Sequence, residues 1–498
     1  MQFRALVSTI ILLFLSFCEA RPQGYDYNYN DNCTAAYRQY MSLRLTEGNA
    51  AILREIHENP YNLMAAYLAD YDDFLLLAFN GDPKEYRQRK SHMDERLAIL
   101  GKGSEDSPWY RLCKAGIYLH WAVIHGRFGE NFKAAVAFRK SFQLLKENRQ
   151  QFPAFAPNNV FFGLEEAVVG TIPEDYKWLA SVFGLKGNIK NGVARLTGFI
   201  NTTSPADLFH DEAIIYHCYL KFYLLSHQQE VWNFVNSSQF SAQNSLLFSF
   251  IKTNLAINYR KAEAALQTLR SARNMDNYTS FPVMDYEMGN ALLLKLDYSC
   301  AAYLQRYISH NAGKLYTKDS WQKLAWAWYL QGNQQKAQFC KEQILKSGNE
   351  LTDADKQARR FAEGSEWPHP LLLQARLLTD GGYYQQALTK LGNATEASFG
   401  SIPDKLEFNF RLGRIYDELG NDDRACQYYR AAIAMGKDRP EHFAARSALQ
   451  MGMIYERRGR IQDAVTCYRI CLGMRNHDFQ SSLDQQAKAG INRLSGGS

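Results

Sequence analysis

LGRIYDELGNDDRACQYYRAAIA (412–434) and MGMIYERRGRIQDAVTCYRICLG (451–473) are the stretches whose comparison decides the fold. Counting from Gly413, Tyr416 follows at +3, Gly420 at +7, Ala425 at +12, Tyr429 at +16 and Ala432 at +19. Counting from Gly452, the same offsets give Tyr455, Gly459, Ala464, Tyr468 and Cys471. Each offset has a physical reason. A small residue at the origin lets two helices approach closely, and an aromatic fills the groove beside it. The glycine at +7 closes the first helix in a left-handed conformation. The small residue at +12 sits where the second helix crosses the first, and the aromatic at +16 packs onto the following pair.

Upstream the pattern continues with substitutions. Ala375 is followed by Leu378, Gly382, Ala387, Leu391 and Ala394, and Ala325 by Trp328, Gly332 and Ala337. Gly289 keeps Ala301 at +12 and has Leu296 where the glycine belongs. Far earlier, Ala122 is followed by His125, Gly129, Ala134, Phe138 and Ser141. Start-to-start spacings in the second half are 36, 50, 38 and 39, and the 50 contains the polar stretch 347–368, which predicts a long connection with its own short helix. These residues resemble the tetratricopeptide repeat, a helix-turn-helix unit of about 34 residues. The resemblance implies an all-α chain, an α-solenoid of helical pairs in which the first helix of each pair lines a concave groove.

Between residues 158 and 196 the chain changes character, with Gly163, Gly170, Pro173, Trp178, Gly184, Gly187 and Gly192 punctuating short apolar runs. The string GLEEAVVGTIPEDYKWLASVFGLKGNIKNGVARL is similar to a segment of the eukaryotic inclusion-body-clearance and TPR-39 family. The connection LTDADKQARRFAEGSEWP and the repeat LLTDGGYYQQAL resemble exported repeat proteins of Bacteroidetes-type bacteria. These motifs specify architecture and say little about activity. Residues 206–280 read as helical with poor repeat matches. The expected organisation is a signal peptide at 1–20, a disordered linker at 21–35, an N-terminal helical block at 36–157, the glycine-punctuated segment at 158–200, degenerate helical pairs at 201–280 and a C-terminal repeat block at 281–498.

Composition bounds the rest. With 498 residues, 46% hydrophobic and 22% charged, the chain exceeds one core and is too apolar to be disordered in bulk. A net charge of +6 spread over that length gives no basic face for nucleic acid. At the start, Arg4 precedes an apolar run at 5–17, and Cys18 and Ala20 place small residues three and one before a cut ahead of Arg21. That run is shorter than the roughly 20 residues of a membrane span and reads as an export signal. The expected location is periplasmic or secreted, with lipidation at Cys18 as the alternative. The eight remaining cysteines, Cys33, Cys113, Cys218, Cys300, Cys340, Cys426, Cys467 and Cys471, are scattered and read as small core hydrophobes rather than a disulfide framework.

No catalytic constellation emerges. His210, Asp211, Glu212 and His217 come nearest to a metal cluster, but the carboxylates point away from a face shared by the histidines. His120 and His125, five apart, share no helix face. Glu165 and Glu166 are adjacent and diverge by about 100° on a helix, so they read as surface carboxylates rather than an acid/base pair. The same holds for Glu174 and Asp175, which suit a helix start after Pro173. No cofactor or metal is expected. What remains is a binding surface. If first helices line the groove, Arg376, Arg411, Arg414 and Arg446 project into it from three successive repeats and suit a carboxylate or phosphate. Glu407 and Glu418, each four residues from Arg411 and Arg414, would neutralise two of them locally. Leu372 and Phe410 stand where some repeat domains place polar residues that clamp a peptide terminus. The expected function is a non-enzymatic scaffold of the cell envelope that recognises a protein or peptide partner. The alternatives are glycan or lipid binding through the many aromatics, or an enzyme with its site near 163–192.

Overall fold

The computed structural model describes residues 24–172, 184–240, 242 and 244–495. Among these the chain is helical, with a single isolated backbone bridge between Asp26 and Asn62. Residues 1–20, expected to form a signal peptide, lie outside the described residues together with Pro173, Glu174, Asp175 and Trp178. Helix starts follow local chemistry. The side chains of Ser107, Ser401 and Asn421 accept hydrogen bonds from the first-turn N–H groups of Trp109, Asp404 and Arg424, satisfying donors that the helix itself cannot. The chain divides into two compact units, Met1–Asn233 and Phe234–Ser498. The division falls inside the stretch expected to hold degenerate pairs.

In the second unit, helix pairs follow one another. They are Leu246–Asn258 with Ala262–Ala272, Val283–Leu294 with Cys300–His310, and Thr317–Leu330 with Gln334–Lys346. Pro370–Asp380 with Tyr384–Leu391, Ile402–Glu418 with Asp422–Gly436, and Phe443–Arg457 with Ile461–Gly473 continue the stack, and Gln480–Leu494 closes it. The polar stretch 347–368 carries the helix Asp353–Glu363, which packs on the Thr317–Leu330 pair. First helices pack on first helices from Thr317–Leu330 through Phe443–Arg457, so they form one layer.

The offsets work as their chemistry demands. A Cβ at Gly413 would sit 2.5 Å from the Tyr429 ring, and one at Gly452 would sit 2.4 Å from Tyr468. The +7 glycines Gly332, Gly382, Gly420 and Gly459 all have φ between 70° and 84°. Leu296 adopts φ 60° in the same role, so the backbone geometry survives loss of the glycine. The pair 246–272 keeps the phase too. Thr253 stands at the origin, Arg260 takes the turn with φ 56°, and Ala265 and Ala272 are buried at +12 and +19.

The first unit opens with the pair Asp31–Tyr40 and Leu45–Glu58. The stretch expected to be a disordered linker makes ordered contacts from Tyr25 on, whose ring meets that of Tyr61. Asp26 exchanges backbone hydrogen bonds with Tyr61 and Leu63, Asn28 pairs with the Asn62 amide, and Asn30 caps a helix in which Cys33 is buried. Its many amides make these bonds, which composition alone cannot distinguish from solvation. The long helices Pro108–Arg127 and Asn131–Gln151 pair around Gly129, whose φ is 76°. Asn158–Val169 then packs on Ile189–Thr202 backbone to backbone. A Cβ at Gly192 would lie 2.3 Å from the Gly163 carbonyl oxygen, and one at Gly187 would lie 2.2 Å from that of Glu166. These glycines serve helix contact.

Candidate functional site: a groove on the first helices of the second unit

The first-helix layer of the second unit borders a groove of about 610 Å³. Trp326 projects from Thr317–Leu330, Arg376 and Asp380 from Pro370–Asp380, Glu407 and Arg411 from Ile402–Glu418, and Phe443 and Arg446 from Phe443–Arg457. Connections complete the wall with Trp367, His442 and Phe479. Three of the four arginines singled out from the sequence therefore share one groove.

Arg414 does not line it. Its guanidinium is held by Glu418 at 2.7 Å and donates to the Gln450 side chain at 2.7 Å. The i,i+4 carboxylate turns this arginine along its own helix, as the spacing allowed. Arg411 donates to Glu407 at 2.7 Å and Arg376 faces Asp380 at 3.7 Å, each also four residues away. These two stay in the groove with their charge largely balanced. Arg376 lies over the Trp326 ring, 5.3 Å from its centroid, and Arg411 over Phe410 and Phe443 at 5.3 and 5.8 Å.

Arg446 is different. It is partly buried, and none of the ion pairs among the described residues involves it. Burial holds its guanidinium below the ordinary arginine range, and Arg411, Arg414 and Arg376 push in the same direction while Asp380 opposes them. Beside it, burial and then Arg446, Arg411 and Arg376 lower His442 to about 3, so its imidazole is neutral at physiological pH. The sequence carried a sign of this contrast, since Arg446 has His442 and Gln450, not a carboxylate, four residues to either side. His442, Trp326, Trp367, Phe443 and Phe479 were not foreseen, and three of them, Trp367, His442 and Phe479, sit in connections that no helical phase reaches.

Outside the groove, the sequence candidates resolve into packing. His210 Nδ1 lies 2.9 Å from the Thr203 hydroxyl and His217 Nδ1 lies 3.3 Å from that of Thr197. Glu212 accepts from Tyr71 at 2.5 Å, Tyr216 at 2.8 Å and Tyr37 at 3.3 Å. No group of three metal-type side chains that could share an ion occurs among the described residues. His120 faces Asp70 at 2.9 Å, and His125 lies 3.0 Å from the Tyr86 hydroxyl and 3.1 Å from Glu130. Glu165 is not a surface carboxylate. It is fully buried without a hydrogen-bond partner, and burial pushes its carboxyl well above the usual range, whereas its neighbour Glu166 pairs with Arg195 at 2.6 Å. The eight cysteines are buried and unbridged, with Cys113 pushed well up by burial alone. Among the largest fully buried side chains are Trp121, Tyr40, Tyr67, Tyr71, Tyr429 and Tyr468, which places these aromatics in the cores.

Residues 410–442 and 445–478 each match the tetratricopeptide repeat, covering the last two full pairs of the groove wall. No curated protein matches the chain. Among solved structures it is similar to the crystal structure of the APC/C hetero-tetramer Cut9-Hcn1, with 11% identity, 92% of this chain and 95% of that chain covered, and a TM-score of 0.24. The class of protein is therefore an all-α chain whose second unit carries tetratricopeptide repeats, a fold built around protein interaction. No described helix is long and apolar enough to cross a membrane.

Proposed function

We propose that this chain is a scaffold that holds an extended segment of a protein partner along the groove of its second unit, with an acidic group of that partner seated at Arg446. The observation that supports this reading is the unbalanced guanidinium. A partly desolvated cation with arginine neighbours is costly until an anion reaches it, and a guanidinium offers a bidentate match to a carboxylate. The rest of the wall favours polypeptide over nucleic acid. Glu366, Asp380, Asp404, Glu407 and Asp478 are interleaved with Arg360, Arg376, Arg411 and Arg446, and those carboxylates would repel a run of phosphates. Trp326, Trp367, Phe443 and Phe479 give apolar or aromatic side chains surfaces to stack on. A preformed groove on stacked helices lowers the ordering cost of binding.

The apolar run at 5–17 and the small residues Cys18 and Ala20 support placing this scaffold in the cell envelope, with the first 20 residues removed. Fractionation with N-terminal sequencing of the recovered protein tests that placement. A chain beginning at Arg21 outside the cytoplasm agrees with it, and a full-length cytosolic chain refutes it.

The groove is tested by selecting peptides from a random library on the full chain and measuring the enriched peptides against Arg446→Met. Enriched acidic peptides that lose about tenfold or more in affinity, the scale of one charge-assisted bidentate contact, agree with the reading. Peptides without acidic residues, or bound equally by the variant, move the partner site away from Arg446.

A further inference from the structure

A second arginine shares the unusual state of Arg446, and it lies in the first unit. Arg149, on the helix Asn131–Gln151, is held below the ordinary arginine range by burial and by Arg195, with Glu166 opposing. It forms no ion pair among the described residues, because Glu166 is engaged by Arg195 at 2.6 Å. Arg149 instead lies over the Phe162 ring, its guanidinium 4.1 Å from the centroid. This arrangement borders a cavity of about 380 Å³ lined by Phe142, Lys146, Arg149, Phe162 and Lys186. Three cations converge there, and no carboxylate is among the described lining residues. Glu147, the nearest acid in sequence, accepts from Gln143 at 3.1 Å and lies 3.8 Å from Arg111.

The chemistry selects a class of ligand. A phosphate monoester carries about −1.5 to −2 charges and three acceptor oxygens, whereas a carboxylate carries one charge and two oxygens. Three cations, with no carboxylate among the described lining residues, match the first better than the second. Contact with the Phe162 ring restricts the Arg149 side chain in advance, so less freedom is lost when it grips an oxyanion. Phe142 and Phe162, whose ring centroids are 5.4 Å apart, supply an apolar wall beside the charges. The volume is at the lower end of small-molecule sites. We propose that this cavity binds a small phosphate ester, its oxygens held by Arg149, Lys146 and Lys186 and its organic part resting on Phe142 and Phe162. The site is independent of the groove in the second unit.

Phenyl phosphate is the probe, titrated calorimetrically into the full chain beside inorganic phosphate and benzoate. The expected result is saturable binding of phenyl phosphate, weaker binding of inorganic phosphate and still weaker binding of benzoate. Arg149→Met keeps the stem on Phe162 and removes the charge, and Lys186→Gln changes an exposed residue whose loss leaves the fold alone. Each should weaken phenyl phosphate by about tenfold, the scale of one charge-assisted contact, while Arg446→Met leaves it unchanged. Absence of saturable binding overturns the proposal. So does benzoate binding equal to that of phenyl phosphate, or full affinity in both Arg149→Met and Lys186→Gln.

Discussion

The repeats at 402–494 and the helices at 31–219 use the same kind of element and close their interiors by different chemistry. In the repeats the contact is apolar and reiterated. The Tyr468 ring is boxed between Gly452 and Gly490, where an added Cβ would sit 2.4 and 2.5 Å from it, and Tyr429 repeats the contact on Gly413. In the first unit the interior holds charge. Asp70 accepts from Trp121 at 3.0 Å and Arg96 at 2.9 Å and faces His120 at 2.9 Å, while Asp73 accepts from Arg89 at 2.6 Å. Glu212 is held by three tyrosine hydroxyls. The difference teaches what repetition requires. A small residue under an aromatic needs only space, so it can recur at a fixed offset along a chain. A buried polar network needs every partner in one geometry, so it fixes one packing and leaves no period to read.

The comparison can be broken most strongly at Asp70. Asp70→Ala strips Arg96, His120 and Trp121 of a shared acceptor in a buried site and should cost the first unit about 3–5 kcal/mol, as removal of one partner from a buried ion pair does. Peptide-resolved hydrogen exchange should show that unit opening first while residues 402–494 stay protected. Equal protection throughout would mean that the network does not hold the unit together.

Gly452→Ala is the counterpart in the repeats. One methyl group enters a site that Gly490 closes from the far side, so the ring cannot retreat, and overpacking of this kind costs about 1–3 kcal/mol. The loss should be confined to the second unit in the same measurement. At Gly473, where an added Cβ meets nothing within 4 Å, alanine should bring no such overpacking.

Glu212→Gln sharpens the comparison through pH. Burial raises the Glu212 carboxyl, and the tyrosine hydroxyls and His120 pull the other way. The folded state therefore holds its proton to higher pH than the unfolded chain does. This contribution is fully present below the ordinary carboxylate range and is lost as pH rises through the raised value. The glutamine variant keeps polar atoms for the tyrosines and removes the charge. The stability difference between variant and parent should grow in favour of the variant across that window and then level off, read from the first unit's exchange. A difference independent of pH would show that Glu212 does not titrate there.

The smallest effect is expected in the groove. Arg446→Met removes a partly buried cation that no ion pair among the described residues balances, so it should leave the second unit unchanged or raise its stability by up to about 1 kcal/mol, with partner affinity lowered about tenfold or more. Marked destabilisation would make Arg446 a structural residue and move the anion seat elsewhere.

Much of this was legible beforehand. The offsets from Gly413 and Gly452 placed the turns, and the 50-residue spacing pointed to a short helix within 347–368. The i,i+4 carboxylates marked Arg411 and Arg414 for local pairing, although nothing local said that Arg414 would leave the groove and Arg411 remain. The pair at 246–272 was harder to see, because Thr253 and Arg260 replace the two small residues that signal a repeat. Its remaining sign was Ala265 and Ala272 at the right offsets. The ordered stretch 24–30 was hidden because asparagine and tyrosine suit solvent and hydrogen-bonded packing equally well.

The sequence by itself determined an all-α chain and the phase of its repeats, because these follow from contacts between residues a fixed distance apart, whereas the groove-facing layer was implied only by the resemblance to tetratricopeptide repeats. Only the tertiary structure decided which charges meet. Glu212 finds Tyr37, 175 residues away, Asp70 finds Trp121, 51 residues away, and Arg149 and Arg446 are held low by burial beside other arginines. Electrostatic partnership depends on distance in space and on desolvation, and neither is written in the spacing of residues along a chain.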